Sequence, residues 1–273
     1  MPSANNPLKM TLNLATFSAR LKFAGTASLM HLVGCLIIAG VSFALVLGIW
    51  YPHQYQEMSA GRELFFLLTG VDVVIGPLLT LVLFTPEKSR KELRTDLAMV
   101  VVCQLSAFIF GMYTVYHARP LFLVAEVDRF KTISAVDLRE ADLAEVPEKF
   151  KPKFFTGPRL VFAQTPTDPK EQLALFEESF KGGPDIGEKP KYYIEYDQQS
   201  ALKMLGRARP LSVFLKDSPV QEKNANSLTV ETHRTIADLR FLPVMARADW
   251  VAVLDPSGAV VGFLEGDGFK TAR

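Results

Sequence analysis

Three uninterrupted apolar runs occupy the first half of the chain, and polar positions recur throughout the second. The first run, LMHLVGCLIIAGVSFALVLGIWY, extends from Leu29 to Tyr51 with no Asp, Glu, Lys or Arg. The second, Leu64 to Phe84, holds Asp72 as its one charged residue, and the third, Leu97 to Tyr116, has Gln104 as its most polar member. Each is about 20 residues, enough for a helix rising 1.5 Å per residue to cross a hydrocarbon core of about 30 Å. The first run is too long for a signal-peptide core and lacks a small-residue cleavage site behind it, so it is expected to stay in the mature chain. The pattern predicts a cytoplasmic leader over 1–28, a three-helix transmembrane region over 29–116 and a separate domain over 117–273. The stretch MPSANNPLKMTLNLATFS shows no clear period and is expected to be disordered.

In the second half, PLFLVAEV (Pro120 to Val127) and RLVFAQ (Arg159 to Gln164) predict strands. DPKEQLALFEESFKGG predicts a helix: Asp168 caps it, Pro169 enters its first turn, and Glu171 completes a capping-box pattern. Leu173, Phe176 and Phe180 give it one apolar face, and Gly182 ends it. A second helix is expected from Asp197 to Gly206. DWVAVLDPSGAVVGFLEG predicts a β-hairpin turning at Asp255–Gly258. Strands and helices do not alternate as in βαβ units. The expected fold class is therefore three transmembrane α-helices followed by an α+β extracytoplasmic domain. Its capped helix and hairpin are locally complete, so the region from Arg119 onward is expected to fold without the spans.

Composition agrees with a membrane protein: 49% of residues are hydrophobic, and the net charge of +1 gives no reason to expect nucleic acid as a partner. Lys9, Arg20 and Lys22 precede the first span, and Lys88, Arg90, Lys91 and Arg94 lie between the second and third, whereas the loop between the first and second has only Arg62. The positive-inside rule then puts the N-terminus in the cytoplasm and the C-terminal domain outside. The two cysteines, Cys35 and Cys103, sit inside apolar runs and the four histidines are scattered, so neither a disulfide scaffold nor a metal site is expected. FKGGPDIGEKP lacks the ending of a phosphate loop, no GxSxG occurs, and DPSGAVVGFLEGDGF has the wrong ligand spacing for calcium. AEVDRF sets Asp128 and Arg129 beside Glu126, which reads as a solvated strand edge or a local ion pair. No catalytic residue and no cofactor is expected.

The second span carries the sharpest signal. A carboxylate near the centre of a span costs about 2.5–3.5 kcal/mol on insertion scales, so Asp72 must face protein or water. Pro77 cannot donate to the carbonyl of Val73 and its ring crowds that turn. Gly70 and Gly76 remove bulk on either side, and Gln104 and Ser42 fall near the same depth. On the first span, Gly40, Ala44 and Gly48 form a small-residue face suited to close packing. These residues either hold the three helices together or contact a helix of a partner.

The string GVDVVIGPLLTLVLFTPEKSRKELRTDL, followed by CQLSAFIFGMYTVYHARPLFLVAEVDRF, resembles the type IV pilin accessory protein family (TfpX/TfpZ). The residues that carry the resemblance include Asp72, Gly76, Pro77, Gln104, Arg119, Asp128 and Arg129, and these are the candidate partner-contact or packing residues. The resemblance implies a bacterial inner-membrane protein with a periplasmic C-terminal domain. Its partners would be the lipid bilayer and a cognate type IV pilin, whose assembly it would assist as a chaperone or modulator. A membrane-bound pilin-modifying enzyme and a small transporter component using the Asp72–Pro77 break stay open as other classes.

Overall fold

The computed structural model describes residues 7–85 and 87–270, with side chains from Arg20 onward. The helices are α1 (Pro7–Leu45), α2 (Tyr55–Met58), α3 (Gly61–Leu83), α4 (Arg90–Ala118), α5 (Glu140–Ala144), α6 (Pro169–Phe180), α7 (Gln198–Leu205), α8 (Leu211–Asp217) and α9 (Glu222–Thr232). The strands are β1 (Pro120–Glu126), β2 (Arg129–Ser134), β3 (Arg159–Ala163), β4 (Tyr193–Glu195), β5 (Arg209–Pro210), β6 (Arg240–Met245), β7 (Trp250–Leu254) and β8 (Val260–Glu265). The chain divides into two compact units, Met1–Leu45 with Glu63–Val115, and Val46–Arg62 with Tyr116–Arg273.

The first unit is helical. Three helices, over Arg20–Trp50, Gly61–Leu83 and Arg90–Ala118, are long and apolar enough to cross a membrane. In hydrocarbon every backbone polar group needs an internal partner, which a helix supplies within its own segment. Ile37, Val41, Leu67, Val82 and Phe110 are all exposed on this unit, an arrangement suited to lipid rather than water. α1 begins at Pro7, so residues 7–18 are helical where disorder was expected; residues 1–6 lie outside the described residues. Extending an existing helix gains one hydrogen bond per residue ordered, and only nucleation is costly, so a stretch without periodicity can continue a strong helix. At the start of α4, Ser89 and Glu92 form a reciprocal cap: the Ser89 N–H donates to the Glu92 carboxylate at 2.7 Å, and the Glu92 N–H to the Ser89 hydroxyl at 3.3 Å.

The second unit is an α+β domain around a mixed sheet of order β4-β3-β1-β2-β6-β7-β8, with β5 beside β6. β1 runs antiparallel to β2 and parallel to β3. Its seven residues are all buried because both faces of the sheet are covered. Leu123 and Ala125 join Phe130, Leu242, Val244 and Trp250 on one face; Phe122 and Val124 join Ile133, Val146, Phe150 and Val161 on the other. A third cluster packs Leu211, Phe214 and Leu228 from α8 and α9 on Phe241, Val251 and Val253.

The elements expected here are present. α7 is capped by the Asp197 carboxylate, which accepts from the Ser200 N–H at 2.9 Å. β7 and β8 form the hairpin, with Gly258 at φ +80° in its turn. α6 is capped by Asp168, but its expected capping box does not form: the Glu171 carboxylate accepts from the Tyr192 hydroxyl at 2.7 Å instead. Leu173, Phe176 and Phe180 of α6 are exposed and do not enter a core.

Residues 46–51 were expected to end the first span, and those from 52 up to the second span at Leu64 to be only a loop. Residues 46–62 are part of the sheet domain. Met58 is fully buried in the cluster with Leu123 and Trp250, and its carbonyl accepts from the Ala248 N–H at 3.4 Å. Tyr55 stands edge-on to Phe263, with ring centroids 6.0 Å apart, and Trp50 and Tyr51 are buried. His53 and Ala60 turn the segment through positive φ values of 50° and 55°. A domain cut at Arg119 therefore lacks part of its own core, which its capped helix and hairpin alone did not indicate.

Truncating a buried Met to Ala removes about 2–5 kcal/mol. Met58→Ala should lower the thermal midpoint of the full chain in detergent, although Met58 lies between two spans. A soluble fragment from Arg119 should show no cooperative transition by circular dichroism, and one with residues 46–62 joined through a flexible linker should regain it. Equal melting of the two fragments would show the segment to be dispensable.

Candidate functional site

α3 runs through Pro77 without ending, and the carbonyls around that residue are bound by side chains of all three long helices. Gln104 Nε2, on α4, donates to the carbonyl of Asp72 at 2.7 Å and lies 3.4 Å from Cys35 Sγ on α1. Ser28 Oγ, on α1, donates to the carbonyl of Pro77 at 2.8 Å. Thr80 Oγ1 donates to the carbonyl of Gly76 at 3.1 Å and lies 2.6 Å from His31 Nδ1. With the only Thr80 hydroxyl hydrogen directed at Gly76, the bond to His31 requires the Nδ1–H tautomer. A Cβ on Gly76 would meet the Gln104 amide, so a side chain there has to displace it.

The structure brings Asp72, Gly76, Pro77 and Gln104 together. Gln104 binds the main-chain carbonyl of Asp72 and not its carboxylate. Asp72 Oδ2 and Gln104 Oε1 are both buried without a hydrogen-bond partner. They line a cavity of about 240 Å³ whose walls include His31, Cys35, Thr69 and Phe108. Ser42 does not join this set; its hydroxyl donates to Ile38 within its own helix at 2.8 Å. Ser28, His31, Cys35 and Thr80 were not among the candidate contact or packing residues, although Thr80 lies in the string that carries the family resemblance. The available signal was Thr80, one turn after Gly76 and able to bond back to its carbonyl. Two acceptors lacking donors can take a hydrogen bond from a group carried by another helix.

The other candidates belong to the sheet domain. Arg119 is 3% exposed, and its guanidinium lies 3.6 Å from the Tyr116 ring centroid and 5.9 Å from that of Trp50. Nη1 donates to the Tyr116 carbonyl at 2.7 Å, so the cation is held by aromatic faces and a carbonyl. Burial lowers its pKa, an effect opposed by Tyr116 and Tyr51. Burial pushes the Tyr51 phenol up, against the pull of Arg119 and Arg247. Asp128 and Arg129 form a local ion pair at 2.9 Å in the β1–β2 turn, where Val127 takes φ +41°. Glu126 is not at a solvated edge but 4% exposed, and burial raises its carboxyl pKa despite Lys131 nearby. Among the described residues no group of three or more His, Cys, Asp or Glu is placed to hold a metal ion.

Three apolar helices, a proline-bearing middle span bound by its neighbours and an α+β domain built partly from the first inter-span segment define a membrane-anchored protein. The FimB fimbrial assembly protein family matches residues 19–60, the segment that carries Ser28 and His31 together with Trp50, Tyr51 and Met58. Over 254 residues the chain is 32% identical to the serogroup I fimbrial assembly protein of Dichelobacter nodosus, covering 92% of this chain and 98% of that one. The serogroup E1 protein of the same organism is 30% identical over the same length and coverage. The protein of serogroups C1 and C2 is 40% identical over 129 residues, 47% of this chain and 96% of that one. No solved structure matches. The chain belongs to the fimbrial assembly protein family, in agreement with its resemblance to type IV pilin accessory proteins.

Hydrogen bonds between membrane helices average about 0.6 kcal/mol and reach about 1.7. Gln104→Leu should therefore destabilise the helical unit only modestly in a steric-trapping or detergent-unfolding assay. Gly76→Val should cost more, because its side chain must displace the Gln104 amide. Ser42→Ala should be close to neutral. Equal effects at Gly76 and Ser42 would show that the break is not a packed junction.

Proposed function

We propose that the protein is an accessory factor for a type IV pilin, an inner-membrane chaperone or modulator that assists pilus assembly without catalysis or a cofactor. The observation that carries this reading is the pair of unpaired buried acceptors, Asp72 Oδ2 and Gln104 Oε1, beside a cavity in the spans of a fimbrial assembly family member. A pilin subunit that offers a donor on its own membrane helix fits such a site. The basic residues Lys9, Arg20, Lys22, Lys88, Arg90, Lys91 and Arg94 support a cytoplasmic N-terminus and α3–α4 loop, with the sheet domain in the periplasm. In this reading Arg119 and the Asp128–Arg129 turn serve the packing of the periplasmic domain, and the pilin contact lies in the membrane.

Asp72→Leu makes insertion easier while removing the polar group. It should accumulate at the normal level yet lose co-purification of pilin from detergent extracts and lower surface piliation. Asp72→Asn, which can still hydrogen-bond, should retain both. Normal piliation with Asp72→Leu at full abundance would overturn the reading. A drop in abundance with function falling in proportion would assign Asp72 to bundle packing alone. Alkaline phosphatase fused at Arg273 should be active and at Arg90 inactive; the reverse pattern would refute the periplasmic placement.

A further inference from the structure

The segment KPKFFTGP, residues 151–158, lies between the helical turn at Glu148–Phe150 and β3 and presents two phenylalanines at its tip. It is a rigid turn. The Lys153 carbonyl accepts from the Thr156 N–H at 3.2 Å and from the Thr156 hydroxyl at 2.9 Å, while the Lys153 N–H donates to that hydroxyl at 3.0 Å. Phe154 and Phe155 therefore occupy the two corners of a four-residue turn. Phe155 is 71% exposed and Phe154 46%. An order-giving turn that holds an aromatic ring out into water gains nothing from the hydrophobic effect.

What surrounds the turn says where it sits. The Trp50 indole N–H donates to the Phe154 carbonyl at 2.8 Å, and the Phe154 ring lies edge-on to Trp50 at 5.3 Å and stacks on Tyr116 at 5.4 Å. Gly157 closes the contact, because a Cβ there would meet the Ile49 carbonyl at 2.8 Å. Trp50 is the last residue of the first candidate span, and Tyr116 lies in the final turn of the third. Trp and Tyr at span ends mark the headgroup level of a bilayer. The turn is thus fastened to residues at the ends of two candidate spans, with the exposed Lys153 beside it; Lys151, also exposed, pairs with Glu148 at 2.6 Å.

We infer that the Lys153–Thr156 turn is a lipid-contact element: Phe155 enters the boundary between headgroups and acyl chains, and Lys153 faces the phosphates. Apolar side chains of interfacial elements reach roughly 5–10 Å into that boundary. The inference depends on the spans crossing a bilayer and not on the pilin reading, so either can fail alone.

The test uses the full chain in phosphatidylcholine nanodiscs with no partner present. Phe155→Trp is tolerated by the exposed position and adds one fluorophore to the native Trp50 and Trp250. The emission gained over the parent protein should be blue-shifted, quenched by lipid brominated in the upper acyl chain, and shielded from aqueous iodide. Added emission that iodide quenches and brominated lipid does not would overturn the inference. So would emission that neither quenches, which would mean that the protein itself covers the ring.

Discussion

The structure depends on one burial: Met58, from the short connection between two membrane helices, sits in the core of a sheet whose strands begin after the third. Without Met58 and Tyr55 the cluster around Leu123, Phe130 and Trp250 loses one of its walls, and without Trp50 the aromatic clamp on Arg119 loses a face. A connection of this kind in an ordinary membrane protein is solvent-exposed and tolerant of change. Here it has the constraints of a core segment, and the family match over residues 19–60 covers it in full except for its last two residues.

In the spans a different constraint governs. Lipid offers no hydrogen bonds, so a proline inside a span obliges neighbouring groups to attend to the carbonyls it disturbs. Ser28, Thr80 and Gln104 bind the carbonyls of Pro77, Gly76 and Asp72, all within a turn of the Val73 carbonyl that Pro77 leaves without its helical donor, and His31 in turn holds Thr80. The stretch around Pro77 is therefore a junction at which side chains of three helices meet. Oδ2 of Asp72 and Oε1 of Gln104 are left without a hydrogen-bond partner there.

Much of this was legible in the sequence because it is local. Span lengths, the Asp168 and Asp197 caps, the β7–β8 hairpin and the meeting of Asp72, Gly76, Pro77 and Gln104 all follow from periodicity, capping chemistry or depth along a helix. What was not legible depends on contacts between distant residues. YPHQYQEMSA reads as a polar loop, and nothing in it states that Met58 will be enclosed by strands made much later. The exposed face of α6 was hidden for the complementary reason: Leu173, Phe176 and Phe180 have the spacing of a core face whether or not a core lies beside them. Glu171 could satisfy a cap or a tyrosine, and only the arrival of Tyr192 decides between them.

The placement of Met58 also bears on biosynthesis. Residues 46–62 and residues 116–270 can share a core only if they are on the same side of the bilayer, so α3 and α4 must cross as a pair. If either helix failed to insert, the loop and the sheet would be left on opposite sides, each with uncovered apolar surface. Completion of the sheet is thus tied to the parity of membrane insertion: a chain with an odd number of crossings between the two segments cannot close its core.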